Sequence, residues 1–151
     1  MRGYNPNDTI AALATPSGVG AIGVLRLSGA QTFAILNKVF TVKKLAEKPS
    51  HTLHFGKIKD EDTVLDEVLV SIFKNPNSYT GEDVAEISCH GSPFILQKVL
   101  ELLVNSGARL AQAGEFTLRA FLNKKLDLSQ AEAVADHRAA LAVPRRVRVA
   151  L

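Results

Sequence analysis

The sequence predicts an α+β fold, a mixed sheet with packed helices, and three observations carry that expectation. Apolar runs with a two-residue period recur through residues 9–89. Helical periods intervene but do not alternate strictly with the strands, as βα units would require. A chain of 151 residues, 46% hydrophobic and 22% charged, is rich enough in apolar residues to close one ordinary core.

Taken in order, Thr9 to Ala14 reads as a short strand closed by Thr15-Pro16-Ser17-Gly18. Ala21 to Leu27 is a second strand, ended by Gly29. From Ala30 the period changes to helical, with Phe33, Leu36, Val39 and Phe40 on one face. Lys43 to Ser50 is a polar linker. Two β-rich runs follow, around Leu53 to Ile58 and Val68 to Phe73, with the acidic turn Asp60-Glu61-Asp62 between them. Val84 to Cys89 is a further strand. Ser92-Pro93 starts a helix, serine as N-cap and proline at its first position. Leu96, Val99, Leu100 and Leu103 form its buried stripe, and Gly107 stops it. Glu115 to Asn123 reads as a short helix. Ser129-Gln130-Ala131-Glu132 reads as a capping box that opens a last helix running to about Ala142, short of Pro144.

Several classes of function are excluded or weakened at this level. No apolar run reaches membrane-spanning length, and the N-terminal residues lack a secretory h-region, so the expected location is cytoplasmic, without membrane contact. Cys89 is the single cysteine, which excludes a disulfide framework and a cysteine-based zinc cluster. Lysine and arginine number 18 against 15 acids, but four arginines and no acid fall within residues 137–151. The body therefore holds 14 basic against 15 acidic residues, which argues against a general RNA-binding face.

The Gly18-Val19-Gly20-Ala21-Ile22-Gly23 run fits G-x-G-x-x-G, but its third glycine leads into the β-like Val24-Leu25-Arg26-Leu27. A dinucleotide fingerprint would open a helix there and place an acid about twenty residues on, where Lys43 and Lys44 stand. A tight turn is the better reading. Arg26 shares a strand face with Ile22, Val24 and Ser28. Two readings fit it: an edge position with the guanidinium reaching water, or a fork for a carboxylate or phosphate. Glu86 lies in mid-strand beside Ser88 and His90, opposite the apolar Ala85, Ile87 and Cys89. It is either solvated or an acceptor for paired N–H donors of a heterocycle. His90 has no partner at metal-ligand or triad spacing, and no base with a positioned partner can be argued. Lys124-Lys125 at a helix end complements the helix dipole in the simplest reading. Asp127, Glu132 and Asp136 read as exposed helix residues.

Four motifs in order resemble the N-terminal part of the MnmE (TrmE) family of tRNA-modification GTPases. They are Asp8-Thr9-Ile10-Ala11-Ala12 with Ala14-Thr15-Pro16; Arg26-Leu27-Ser28-Gly29; Ser78 to Asp83 with Glu86 and His90-Gly91; and Gly114 to Ala133. The resemblance covers about Asp8 to Asp136, departing at Gln112-Ala113 and Lys124. It implies a fold like the folate-binding part of the glycine-cleavage aminomethyltransferase. It divides the chain into a tetrahydrofolate-binding and dimerisation domain, residues 1–124, and the truncated start of a helical domain, residues 125–151. It implies a homodimer holding a tetrahydrofolate derivative, 5-formyl- or 5,10-methylene-, as one-carbon donor, with Arg26, Glu86 and Lys125 as the matching contacts. For the full-length family it implies tRNA and an MnmG-type flavoprotein as partners, and GTP, magnesium and potassium in a G domain outside these residues. The alternative from another class is a free-standing folate-dependent one-carbon (aminomethyl) transferase. Beyond Asp136 the acid-free, arginine-rich stretch leaves the family pattern. An altered reading frame or a truncated gene model would explain it, a genuine basic tail is the alternative, and residues past about Ala142 are expected to pack poorly.

No G-x-x-x-x-G-K-[ST] loop occurs, so nothing in these residues cradles a triphosphate. The purified chain should show no saturable binding of a fluorescent GTP analogue in a titration; a saturating isotherm would refute this.

Overall fold

A computed structural model gives the fold of the chain and describes residues 5–140. Strands β1 (Ile10–Leu13), β2 (Ile22–Ser28), β3 (Thr52–Asp60), β4 (Thr63–Phe73), β5 (Val84–His90) and β6 (Arg109–Leu110) form a single six-stranded sheet in the order β3-β4-β5-β2-β1-β6. All neighbours are antiparallel except β1 and β6, so the sheet is mixed, as the sequence predicts. Helices α1 (Thr32–Val39), α2 (Pro93–Asn105), α3 (Glu115–Leu122) and α4 (Leu128–Ala140) complete the α+β architecture.

The main core lies on one face. Phe33, Ile35, Leu36 and Val39 of α1 and Leu96, Val99 and Leu103 of α2 pack on Leu25, Leu27, Val68, Val70, Ile72, Ala85 and Ile87. The strands supply every second residue to that face, as the pleat demands. Ser92 caps α2 by accepting from the backbone N–H of Ile95 at 3.5 Å, with Pro93 at the first helical position. Among the described residues the opposite face is covered at the β1 end alone, where Phe116 of α3 joins Ile10, Ala12, Ala14 and Ala111, with Val24 and Tyr79 packed alongside.

The structure corrects several expectations. Phe40 is the C-cap of α1 rather than part of the helix: it forms a bridge with Ile58 and is fully buried in the same core, which Ile35 also joins. The linker after α1 contains a 3-10 turn, Leu45–Glu47, that buries Leu45. β3 and β4 are longer than their apolar runs, since exposed polar residues such as Asp60 and Glu67 continue the ladder around a two-residue turn at Glu61-Asp62. β6 has no period to detect, being two residues long. The capping box of α4 is Asp127 with Gln130, not Ser129 with Glu132. The Asp127 carboxylate accepts from the Gln130 N–H at 2.8 Å, and the Gln130 amide oxygen accepts from the Asp127 N–H at 2.9 Å. Asp127 is thus the N-cap. The expected end of α4 near Ala142, the stop at Pro144 and the packing of the tail lie outside the described residues.

One charged chain holds the covered end of the second face. Arg109 of β6 contacts Asp8 at 2.9 Å and Glu115 at 2.5 Å. Glu115 accepts the Gln112 N–H and lies 3.6 Å from Arg119, and Arg119 reaches Glu82 at 3.1 Å. Glu115 and Arg119 are almost fully buried. Burial alone would raise the Glu115 carboxyl. The Arg109 hydrogen bond, the Gln112 N–H and the charges of Arg109 and Arg119 outweigh it and hold the group below the usual carboxylate range.

A group depressed in this way contributes stability that is present above the ordinary carboxylate range and lost as pH falls through the lower folded value. Glu115→Gln should therefore cost about 3–5 kcal/mol at neutral pH by leaving Arg119 buried and under-compensated. The deficit should shrink below about pH 4. Thermal melts at pH 7 and pH 3 check both the loss and its direction; a deficit that grows in acid would contradict the assignment.

Candidate functional site

The face of the sheet away from α1 and α2 is open from β2 to β3. Register places a row of side chains across it: Ala12, Arg26, Glu86, Ser71 and Leu53, from β1 through β2, β5 and β4 to β3. A parallel row holds Val24, Ser88, Leu69 and Phe55, and beyond it Ile22 stands opposite His90.

Arg26 and Glu86 are direct cross-strand partners, Nη2 to Oε1 at 3.3 Å. β2 lies between β5 and β1, so Arg26 is not at a sheet edge, and the reading of an edge arginine reaching water is overturned. Its guanidinium is instead set beside two aromatic rings, 5.4 Å from the Tyr79 centroid and 5.6 Å from that of Phe116. The side chains of Arg26 and Glu86 are 16% and 32% exposed, so the pair is reachable from the open face.

Tyr79 belongs to the Ser78–Asp83 loop, which is tied down at several points. Its hydroxyl meets Thr117 Oγ1 at 3.0 Å. Thr80 Oγ1 lies 2.7 Å from Ser28 Oγ, and Ser28 donates to Glu82 at 2.6 Å. Asn123, at the end of α3, donates to the Thr80 carbonyl at 2.8 Å. Gly81 takes a left-handed φ of 80°, and a Cβ there would meet Asn123 at 2.9 Å and Lys125 Cε at 3.5 Å. Lys125 thus lies over the loop that carries Tyr79. Of the three residues nominated from the sequence, the structure pairs Arg26 with Glu86 and sets Arg26 against Tyr79 of the loop, while Lys125 lies across Gly81 of the same loop.

A cavity of about 260 Å³ lies elsewhere, between α1 and the β3–β4 hairpin. Of its lysines, Lys38 donates to the Ser106 carbonyl and Lys43 to the Asn37 carbonyl, both near helix C-termini, which is a structural use.

Sequence reasoning missed the partner of His90. Asp66, on β4 and 6% exposed, meets His90 Nδ1 at 2.6 Å and accepts the His90 backbone N–H at 2.8 Å. The expectation that no base has a positioned partner is therefore corrected. Burial, with the Asp66 charge added, pushes the neighbouring Cys89 thiol up to about 12, so it stays protonated and is no nucleophile. The glycines of the G-x-G-x-x-G run serve backbone contact: Gly20 donates to the Gly91 carbonyl at 3.2 Å, and Gly23 lies within β2 against Leu96. Among the described residues no cluster of three or more His, Cys, Asp or Glu has metal-holding geometry, and no helix is long and apolar enough to cross a membrane.

The family described as "GTP-binding protein TrmE N-terminus" matches residues 9–125. The chain is 61% identical over 132 residues to the tRNA modification GTPase MnmE of Cytophaga hutchinsonii, covering 87% of this chain and 29% of that protein. It is 64% identical over 132 residues to the protein of the same name from Flavobacterium johnsoniae, covering 85% and 28%. With that from Enterococcus faecalis it is 53% identical over 133 residues, again covering 85% of this chain and 29% of the relative. The chain thus spans less than a third of the length of these curated relatives. It belongs to the TrmE N-terminal family.

Proposed function

We propose that this member of the TrmE N-terminal family binds a reduced folate on the open face of its sheet and pairs with a second copy through the same face. The observation that carries the reading is the Arg26–Glu86 pair. It sits on two central strands, where a sheet ordinarily presents apolar side chains, and it faces the uncovered side. A reduced pterin offers adjacent N–H donors that one carboxylate accepts side by side, and Glu86 is that acceptor. Arg26, pinned at 3.3 Å and stacked on Tyr79, holds the Glu86 carboxylate in orientation. Lys125, across the Gly81 loop, supplies a cation for the anionic folate tail. When bound, a 5-formyl- or 5,10-methylene-tetrahydrofolate would bring the one-carbon unit.

The pairing surface is the apolar patch beside the site. Leu53 and Phe55 on β3, Leu69 on β4 and Ile22 on β2 are all exposed large hydrophobics on the open face. A monomer rarely leaves such a patch in water. The rest of the reading follows the family resemblance, and the relatives' shared name supports only its tRNA-modifying GTPase part. Residues 1–124 form the folate-binding and dimerising unit, related to the aminomethyltransferase fold, and residues from 125 begin a helical domain. The full-length protein is a cytoplasmic GTPase that modifies tRNA with a flavoprotein of the MnmG type.

Calorimetry with 5-formyltetrahydrofolate tests the site. The chain should bind, and Glu86→Ala should lose about 1.5–3 kcal/mol, roughly ten- to a hundredfold in affinity. Equal binding by both would remove Glu86 from the site. Sedimentation tests the pairing: the chain should show twice its 16.3 kDa mass, and Phe55→Asp with Leu69→Asp should return it to one. A concentration-independent mass of 16.3 kDa for the unaltered chain would rule out the dimer.

A further inference from the structure

Helix α3 ends in a way that asks nothing of its last side chain. The Lys124 N–H donates to the Phe121 carbonyl at 3.0 Å and the Lys125 N–H to the Ala120 carbonyl at 2.7 Å, the two bonds of a Schellman motif. Asn123 is the C-cap, and Lys124 takes the left-handed φ of 60° that such a stop requires. The backbone alone therefore fixes where Lys125 leaves the helix, and the Asn123 amide is spare. It is used on the neighbouring loop, where Nδ2 donates to the Thr80 carbonyl at 2.8 Å. Gly81 makes room for this contact, since a Cβ there would fall 2.9 Å from the Asn123 Cβ. The same Cβ would lie 3.5 Å from Lys125 Cε, so the amide bond holds loop and lysine side by side. Arg119 ties α3 to Glu82, but past it Phe121 and Leu122 are exposed, and Asn123 is the tie at the helix end.

The meeting point is one end of the Arg26–Glu86 site. Thr80 sits on Ser28, which follows Arg26 by two residues and shares its face of β2. At about 3.4 Å per residue, Ser28 lies about 7 Å along β2 from Arg26. Ser28 is the register partner of Val84, so this is the Val84 end of β5, with His90 at the other end. Tyr79, beside Arg26, is the residue before Thr80, so the loop runs from the ion pair to Gly81 without a break. Among the described residues no carboxylate pairs with Lys125. Asp127, the acid nearest to it in sequence, is spent on the Gln130 N–H.

We propose that Asn123 is a positioning residue that sets Lys125 at the tail end of the site, and so makes the site choose reduced pterins with an anionic tail over uncharged ones. This rests on the folate reading and deepens it. Asn123 acts through the loop. Its amide fixes the spacing between Glu86, which accepts the ring, and Lys125, which meets the tail carboxylates.

Calorimetry with 5-formyltetrahydrofolate and with its dimethyl ester reads the preference, because the ester keeps ring and arm and loses both tail charges. The unaltered chain should bind the acid about fivefold tighter than the ester at low salt, the size of one exposed ion pair, and the ratio should fall as salt rises. Lys125→Ala should bring the ratio to about one. Asn123→Leu keeps the volume of the amide without its donor. It should also bring the ratio to about one, with the ester bound within about twofold of the unaltered chain. If Asn123→Leu does not melt cooperatively, Asn123→Ala takes its place. A ratio still near fivefold in a folded Asn123 variant, or acid and ester weakened together, overturns the positioning role and leaves the folate site standing. Loss of cooperative melting in both variants makes Asn123 a structural residue and overturns it as well. Both ligands bound equally by the unaltered chain removes Lys125 from the tail, and this inference with it. Heat from neither ligand overturns the folate reading and this inference together.

Discussion

The covered end of the second sheet face depends on the buried guanidinium of Arg119. It lies between Glu115, on its own helix, and Glu82, on the loop before β5, and Arg109 continues the alternation to Asp8. The chain joins the N-terminal segment, β6, α3 and the Ser78–Asp83 loop, which share few apolar contacts with one another. An apolar replacement could match its stability, since desolvating four or five charges consumes much of what their attraction returns. What the charges supply is direction. Arg119 Nη1 reaches both carboxylate oxygens of Glu82 and Arg109 both those of Glu115, so α3 and the loop meet in one arrangement. Ser28, at the end of β2, reads that arrangement directly through Glu82 and Thr80.

From this anchoring follows the geometry of the open face. α1 and α2 bury one side of the sheet from β1 to β3, while α3 covers the other side only near β1. Phe116 and Tyr79 mark the border, and Arg26 lies against both. A cross-strand ion pair with partners 16% and 32% exposed contributes on the order of 0.2–1 kcal/mol. That is too little to explain a charge pair on two central strands, where β-branched residues would pack at least as well. Fold stability therefore does not account for Arg26 and Glu86, and the proposed ligand would. The same reasoning applies to Leu53, Phe55 and Leu69, whose exposure costs solubility without helping the core.

Much of this was legible in the sequence, and the exceptions have physical causes. The central strands and α2 were readable because a half-buried strand alternates and a capped helix announces its start. The extra length of β3 and β4 was not, because solvated polar residues extend a ladder without leaving an apolar trace. β6 exists because Arg109 and Leu110 lie beside β1, a tertiary fact. The start of α4 was misplaced because Asp127 and Ser129 both have N-cap chemistry, and only backbone geometry chooses between them. Arg26 and Glu86 stood out as charges in apolar strands. Their pairing did not, since register across sixty residues cannot be read from period alone. Asp66 gave no signal at all: its β4 neighbours Leu65 and Glu67 leave the inward direction ambiguous, and its partner comes from the next strand.

Two kinds of buried or half-buried charge occur in this fold, and their surroundings separate them. Glu115 and Arg119 are enclosed on all sides, and their charges serve the protein's own backbone and loops. Asp66 is equally enclosed, yet both its oxygens are spent on one residue whose ring faces water. Glu86 is only partly enclosed, with Arg26 on one side and the open face on the other. Desolvation costs free energy wherever it occurs, so a fold retains such a charge where something is oriented by it. In the first pair the oriented object is α3 against the loop. For Arg26 it is the side chain of Glu86, which ends at the uncovered surface, and for Asp66 the exposed ring of His90. Sequence pattern can flag all of these positions as anomalies, but only the direction in which each hydrogen bond points tells architecture from chemistry.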